Sequence, residues 1–208
     1  MSLHPFRGRA LLTVEHLSCA VLQDISLVLE DAEPVSLSGA SGSGKTRLLR
    51  AIADLDLNTG SVSLDGVMRE AIEPQTWRRK VGYLPAESRW WATTVGEHFR
   101  DPRTVGFEQL GFGHEVAEWK VARLSSGERQ RLAVLRLLEN RPRVLLLDEP
   151  TANLDAANIE RVEALVHDYI VGTRAACLWV THAAEQVRRI ARHRLVLENS
   201  FLAQVEAA

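Results

Sequence analysis

The chain has 208 residues, of which 46% are hydrophobic and 25% are charged, and this ordinary balance excludes disordered, collagen-like and coiled-coil proteins. Its formal charge of -2 at pH 7 argues against a dedicated nucleic-acid binder, which usually carries a basic excess on one face. The longest apolar run, residues 175–180, is far shorter than the roughly 18 residues of a membrane helix. We therefore expect a globular chain that does not itself span a bilayer.

Cysteine usage and the first residues indicate a location. Cys19 and Cys177 lie far apart in apolar surroundings, so we expect buried free thiols in a reducing compartment rather than a disulfide framework. Residues 1–9 lack the apolar core of a secretory signal. The sequence therefore predicts a cytoplasmic protein.

Predicted strands and helices alternate along the chain, which is typical of an α/β fold. The predicted strands are 11–17, 24–29, 35–38, 61–64, 80–84, 144–147, 176–180, 194–198 and 202–205. The predicted helices are 47–53, 126–138, 156–169 and 183–191. The unbroken apolar strand at 144–147 indicates a parallel sheet covered on both faces, and we expect the N-terminal strands to be antiparallel.

The pattern also predicts how the chain is divided. We expect a single domain over 1–208, with a core built from 11–85 and 139–208. Residues 86–138 combine an irregular, glycine-containing stretch with short amphipathic pieces and one strong helix. The sequence predicts that this segment forms a small helical subdomain.

Residues 39–46 match the pattern G-x-x-x-x-G-K-[ST] between a predicted strand and a predicted helix. Glycines let backbone N–H groups curl around phosphates, and the positive end of the following helix favours an anion. Lys45 would reach the β- and γ-phosphates, and the Thr46 hydroxyl would hold Mg²⁺. The alternative is an accidental glycine-rich turn. The residues assigned to nucleotide binding are Gly39, Ala40, Ser41, Gly42, Ser43, Gly44, Lys45, Thr46 and Arg47.

An acidic pair, Asp148 and Glu149, follows the apolar strand at 144–147. A carboxylate at the carboxyl end of such a strand lies beside the phosphate loop in folds of this kind. Asp148 is therefore the second candidate Mg²⁺ ligand, and Glu149 is the candidate general base for an attacking water. The alternative is a structural strand followed by a solvated acidic pair.

Further motifs follow in a fixed order. They are Leu-Ser-Ser-Gly-Glu at 124–128, Asp-Glu-Pro at 148–150, Ala-Asn-Leu-Asp at 152–155 and Val-Thr-His at 180–182. In this order they resemble the ATP-binding subunit of ABC transporters over nearly the whole chain, from about 11 to 198. The resemblance implies a P-loop ATPase core with a small helical subdomain.

The resemblance also implies roles for individual residues. In the family, the signature binds the γ-phosphate held by the other subunit of a head-to-tail dimer. Here the signature residues are Ser125, Ser126, Gly127 and Glu128. Asp155 resembles the acidic residue of the loop that links the two sites. His182 resembles the switch histidine and, with Glu149 and Lys45, completes the expected catalytic set.

ATP and Mg²⁺ are the implied cofactors, and the implied partners are a second copy of the chain and a separate transmembrane permease subunit. No nucleic-acid partner is expected. The chain would then be cytoplasmic and peripheral, held at the inner face of the membrane through the permease. Within the family, residues 162–182 and the compact size most resemble the ATPase subunit of bacterial iron-export systems.

Three features depart from the family pattern. The stretch 18–22 lacks the aromatic residue that stacks on adenine, a contact worth about 1–3 kcal/mol. Ala86 stands where the family has a glutamine that touches Mg²⁺, and we hypothesise that Glu87 takes over this contact. The signature contains Ser-Ser-Gly-Glu instead of the commoner Ser-Gly-Gly-Gln.

Two tryptophan-containing segments allow alternative interpretations. Trp90 and Trp91 form either a docking surface for the permease or part of the subdomain core. Because adjacent helical residues point in different directions, one tryptophan can be buried in the core while the other is exposed. The basic run at 77–80 is interpreted as solvated surface rather than an RNA or lipid site.

The function expected from these residues is ATP hydrolysis that drives a transport cycle, with ATP-bound dimer closure coupled to the permease. One alternative is a soluble ABC-type ATPase that acts on nucleic acid or ribosomes. Another is a nucleotide-binding regulator that has lost turnover.

Overall fold

The computed structural model describes residues 9–206, so most of the opening segment behind the signal-sequence prediction lies outside the described residues. Ten strands occur in this range: β1 Ala10–Cys19, β2 Leu22–Glu30, β3 Pro34–Ser38, β4 Thr59–Leu64, β5 Val67–Met68, β6 Val81–Leu84, β7 Val144–Asp148, β8 Ala176–Val180, β9 His193–Glu198 and β10 Phe201–Glu206. The five α-helices are α1 Lys45–Ile52, α2 Pro74–Lys80, α3 Ser126–Glu139, α4 Ala156–Thr173 and α5 Ala184–Ile190.

The alternating strands and helices confirm the predicted α/β fold. The strands form two sheets, and the N-terminal strands, which are antiparallel as expected, form a sheet of their own. The larger sheet has the order β10-β9-β3-β8-β7-β6 and is parallel apart from the final hairpin of β9 and β10. The smaller sheet has the order β2-β1-β4-β5 and is entirely antiparallel. Helices connect the parallel strands because a parallel crossover needs a long connection.

The hydrophobic core lies on both faces of the larger sheet. Val144 and Leu146 of β7 face one cluster, which includes α1 and the antiparallel sheet. Leu145 and Leu147 face the other cluster, which includes α3, α4 and the segment before α3. Because successive side chains of a strand point to opposite faces, burial on both sides explains the unbroken apolar sequence of β7.

The segment between β6 and α3 contains 3-10 helices of three to five residues instead of α-helices. They are Gly96–His98, Pro102–Thr104, Phe107–Leu110, His114–Glu118 and Val121–Arg123. Gly111, for example, ends one of them in a left-handed conformation with φ of 76°. The apolar side chains of this segment pack in one cluster with the buried side chains of α3. The helical structure between β6 and β7 therefore consists of several short 3-10 helices and one long α-helix.

Helix α2 was absent from the sequence prediction, although its start carries two local signals. Pro74 occupies the first turn, and the Glu73 carboxylate accepts a hydrogen bond from the Thr76 N–H at 2.8 Å. Trp77 at the centre of the helix is fully buried, and its Nε1 donates to the Ile52 carbonyl at 3.0 Å. Only residues 78–80 of the basic run are exposed, as the solvated-surface interpretation predicts.

Among residues 9–206, no helix is both long enough and apolar enough to cross a membrane.

We expect Trp77→Ala to lower the free energy of unfolding by about 3–5 kcal/mol, because it leaves a cavity and removes the donor to Ile52. Urea unfolding of the variant and the unaltered chain measures this difference. Trp91→Ala is the control, because its side chain is mostly exposed, and its effect should stay within about 1 kcal/mol. Equal destabilisation by the two substitutions would contradict the anchoring role of Trp77.

Candidate nucleotide-binding and catalytic site

The phosphate loop at 39–44 connects the end of β3 to the start of α1. Gly39 and Gly44 both have positive φ, 150° and 106°. A Cβ at Gly39 would lie 2.3 Å from the Leu197 carbonyl oxygen, and one at Gly44 would lie 2.8 Å from Leu22. Glycine is therefore required at both positions, because a side chain would clash as well as strain the backbone.

The Lys45 ammonium folds back onto this loop. Its Nζ donates to the carbonyls of Gly39 and Ala40, both at 2.9 Å, and the residue is only 7% exposed. Burial lowers the pKa of Lys45, and the negative charges of Glu149 and Asp148 partly oppose that shift. A bound phosphate would replace these two neutral acceptors with a charged one, which makes a stronger hydrogen bond.

The loop also contains an unsatisfied polar atom. Ser43 Oγ is buried and has no hydrogen-bond partner in the part of the chain that the structure describes. Buried polar atoms are rarely left unpaired, so this hydroxyl indicates that the loop is built to receive a polar ligand. It fits the phosphate groups of a nucleotide.

Two proposed magnesium ligands meet at the adjacent strand end. Thr46 Oγ1 donates to Asp148 Oδ2 at 2.7 Å, and the Tyr83 hydroxyl donates to the same atom at 3.3 Å. Asp148 is 4% exposed. Burial, with a smaller contribution from Asp148, raises the pKa of Tyr83. A hydroxyl beside a carboxylate is the hard-oxygen donor set that suits Mg²⁺.

Glu149 and His182 lie at the ends of neighbouring strands β7 and β8. Their side chains meet at 3.1 Å between Oε1 and Nε2, and both remain partly open to solvent. Glu149 has a φ of 49°, and its N–H donates to the Val180 carbonyl at 3.2 Å. This left-handed turn directs the chain away from β7, and it places a carboxylate and an imidazole where a water can reach both.

A buried glutamine behind this pair was missed in the sequence. Gln186 of α5 accepts from Thr181 Oγ1 at 2.6 Å and donates to Thr151 Oγ1 at 2.9 Å. It also donates to Glu163 of α4 at 2.8 Å. One amide therefore joins the two loops that carry Glu149 and His182. The sequence offers one weak signal for Gln186: it is a polar residue next to Val187, the apolar residue that α5 buries.

The signature residues form the start of α3. Ser125 Oγ accepts from the Glu128 N–H at 3.2 Å, while Glu128 Oε2 accepts from the Ser125 N–H at 2.8 Å. This reciprocal capping box fixes the helix start. Ser125 and Ser126 are exposed, and Gly127 packs near Leu154, where an added Cβ would lie 3.0 Å from the leucine. The Glu128 side chain thus turns back onto its own helix.

The remaining predicted residues have local partners. Asp155 caps α4 by accepting from the Asn158 N–H at 2.9 Å, and this backbone hydrogen bond lowers the pKa of Asp155. The Arg47 side chain pairs with Asp56 at 3.0 Å, and its assignment to nucleotide binding stays a prediction. Hydrogen bonds from Arg50 first, and from Arg47, lower the pKa of Asp56 to about 2.

A cleft of about 530 Å³ continues from the phosphate loop. It is lined by Val21, Ala40, Ser41, Gly42, Ser43, Leu197, Glu198, Asn199 and Ser200. None of these is aromatic, in agreement with the sequence departure at 18–22. Glu87 is exposed and makes no hydrogen bond or ion pair within the described residues, so its contact with Mg²⁺ stays a prediction.

The capping role of Glu128 generates a stability prediction. Glu128→Ala removes the acceptor for the Ser125 N–H, and we expect it to lower the free energy of unfolding by about 1 kcal/mol. Glu128→Gln is the matched control, because glutamine also closes a capping box. The urea midpoints of the two variants and the unaltered chain measure these differences in stability. An unchanged midpoint in Glu128→Ala would show that the Glu128 carboxylate does not stabilise the start of α3.

Comparisons with known proteins show which family this chain is similar to. The family model described as ABC transporter matches residues 22–152. "Probable iron export ATP-binding protein FetA" of Escherichia coli K12 is 31% identical over 180 residues, which cover 80% of each chain. "Aliphatic sulfonates import ATP-binding protein SsuB 3" of Nocardia farcinica is 39% identical over 189 residues, which cover 88% of this chain and 73% of the relative.

A solved structure supports the same fold. It is a dimeric ATP-binding cassette in a post-hydrolysis state bound to ADP and Pi, with a TM-score of 0.81 and 21% identity. The match covers 95% of this chain and 99% of that chain. This likeness shows the P-loop α/β fold. Because the family model covers more than half of the sequence, this chain belongs to the ABC transporter family, as an ATP-binding and ATP-hydrolysing subunit.

Proposed function

We propose that this chain powers a membrane transport cycle by hydrolysing ATP at a site that a second copy of the chain completes. The observation that carries the proposal is the division of the site. The phosphate loop, Asp148, Glu149 and His182 gather at one edge of the large sheet. Ser125 and Ser126 lie exposed at the start of α3, and within residues 9–206 no hydrogen bond joins their side chains to the phosphate loop, Asp148, Glu149 or His182.

In each half-site, backbone N–H groups of the loop and Lys45 bind the phosphates. Thr46 and Asp148, which hydrogen-bond to each other at 2.7 Å, would hold Mg²⁺, and the ion, when bound, would neutralise charge on the phosphate oxygens. Arg47, the residue after Thr46, adds positive charge beside the loop while its side chain pairs with Asp56.

Glu149 acts as the general base. A water attacks the γ-phosphorus, the bond to the bridging oxygen breaks, and ADP and phosphate result. The proton of the water passes to Glu149, whose carboxylate His182 orients from 3.1 Å away. Gln186 fixes the two loops relative to each other, because its side-chain amide hydrogen-bonds to a threonine on each of them.

The partner copy supplies the signature. The start of α3 carries unpaired N–H groups and the positive end of the helix dipole, which favour an anion. ATP held between two copies therefore stabilises the closed dimer, and loss of the γ-phosphate removes that link. Asp155, as the cap of α4, connects the two sites.

The segment at 86–138 is the proposed subdomain that docks a cytoplasmic segment of the permease. Trp90 is half-buried against its core, and its Nε1 donates to Ser88 Oγ at 3.2 Å. Trp91 is 74% exposed. The buried His98 Nε2 accepts from the N–H groups of Trp91 and Ala92 at 3.0 and 3.1 Å. This fixed backbone presents a rigid aromatic surface, and docking on it would hold the chain at the inner face of the membrane.

The first test of this function is the solution mass of Glu149→Gln with and without Mg-ATP. We expect a monomer of 23.2 kDa without nucleotide and a dimer with it, because ATP is bound but not cleaved. The unaltered chain should turn over ATP. Lys45→Ala in the same background is the control, and it should stay monomeric because it cannot hold the phosphates.

A chain that binds ATP, dimerises and yet has no turnover would instead support the nucleotide-binding regulator. Stimulation of the ATPase by DNA or RNA would support the soluble nucleic-acid ATPase. A chain that binds no nucleotide would contradict both the proposed function and these alternatives.

The docking surface is tested with Trp91→Ala. Loss of a central aromatic anchor typically costs at least 2 kcal/mol, which is roughly a 30-fold loss of affinity. We therefore expect the variant to lose binding to membranes that contain the co-expressed permease, while its ATPase in solution is retained. Phe201→Ala is the control, because Phe201 is also exposed but lies in the final hairpin. Equal membrane binding by both variants would contradict the assignment.

A further inference from the structure

We propose that Tyr83 is a positioning residue for the metal-binding carboxylate, and that its hydroxyl holds Asp148 in the orientation that binds Mg²⁺. The inference rests on the proposed function, because it takes Asp148 as the carboxylate that holds the ion. It adds a residue from β6, which lies outside the phosphate loop and outside the strand that carries Asp148.

The contacts around Asp148 are asymmetric. Both Thr46 Oγ1 and the Tyr83 hydroxyl donate to Oδ2, at 2.7 and 3.3 Å. Oδ1 has no hydrogen-bond donor in the described part of the chain. The rotation of the carboxylate is therefore fixed through one oxygen, and the other is left for an ion or for water bound to it.

The direction of the Tyr83 hydrogen bond follows from the chemistry of its partner. An ionised carboxylate only accepts hydrogen bonds, whereas a phenol hydroxyl can donate one. The hydroxyl proton of Tyr83 therefore points toward Asp148 Oδ2, 3.3 Å away.

The two donors to Asp148 are not equivalent. The Thr46 hydroxyl is itself assigned to the ion, so its geometry must satisfy both the ion and the carboxylate. Tyr83 contacts the carboxylate without being a ligand. Groups that orient a metal-binding side chain in this way typically change metal affinity by roughly 10–100-fold when they are removed.

Tyr83→Phe removes only the hydroxyl and is the test variant. The measurement is the affinity for a fluorescent ADP analogue, once with Mg²⁺ and once with EDTA. We expect the gain in affinity that Mg²⁺ gives the unaltered chain to fall about tenfold in Tyr83→Phe. The affinity in EDTA should be unchanged, because the phosphate loop is intact.

Tyr169→Phe is the matched control. Tyr169 is also a half-buried tyrosine, but its hydroxyl donates to the Pro142 carbonyl at 2.7 Å, so loss of this hydroxyl should leave the gain from Mg²⁺ intact. Thermal unfolding of both variants measures any general effect of removing a phenol hydroxyl.

A full gain from Mg²⁺ in Tyr83→Phe would overturn the inference while leaving the proposed function in place. No gain from Mg²⁺ in the unaltered chain would instead overturn the proposed metal site, and the inference with it. Combining Tyr83→Phe with Asp148→Asn tests whether Tyr83 affects Mg²⁺ binding through Asp148. No further loss is expected there, and an additional tenfold loss would show that Tyr83 does not act through Asp148.

Discussion

The site depends on the parallel register of three neighbouring strands, β3, β8 and β7. Leu37 of β3 and Asp148 of β7 both pair with Val180 of β8. Because the strands run in the same direction, their carboxyl ends reach one edge of the sheet together. The phosphate loop, the acidic pair and His182 each follow one of these ends, so backbone pairing alone brings them into one place.

The same strands also make this edge rigid. β7 and β8 are buried along their whole lengths, between a cluster that contains α1 and another that contains α4. A close-packed core permits little movement of a strand end. The polar groups are then fixed by a small number of hydrogen bonds, such as those of Gln186, which join loops that the sheet has already aligned.

The half-site has polar groups that remain unsatisfied or are satisfied only within the loop. The Lys45 ammonium bonds to two carbonyls of its own loop, and Ser43 Oγ is buried without a hydrogen-bond partner among residues 9–206. Each of these groups would gain a stronger, charged partner if a polyanion bound. Binding energy is thereby concentrated on the phosphates, which is consistent with a cleft whose continuation is lined by aliphatic and polar side chains instead of an aromatic ring.

The sequence by itself determined the features that depend on neighbouring residues: the phosphate loop, the acidic pair after β7, the helix start at Ser125 and the alternation of strands and helices. Local geometry and turn chemistry fix such features, so a short pattern is sufficient. Only the tertiary structure decided that Trp77 is a core anchor, that Gln186 joins the loops after β7 and β8, and that Tyr83 reaches Asp148 across 65 residues of sequence. These contacts depend on ångström-scale packing between distant elements or on side-chain direction, and neither hydrophobic periodicity nor motif spacing carries that information.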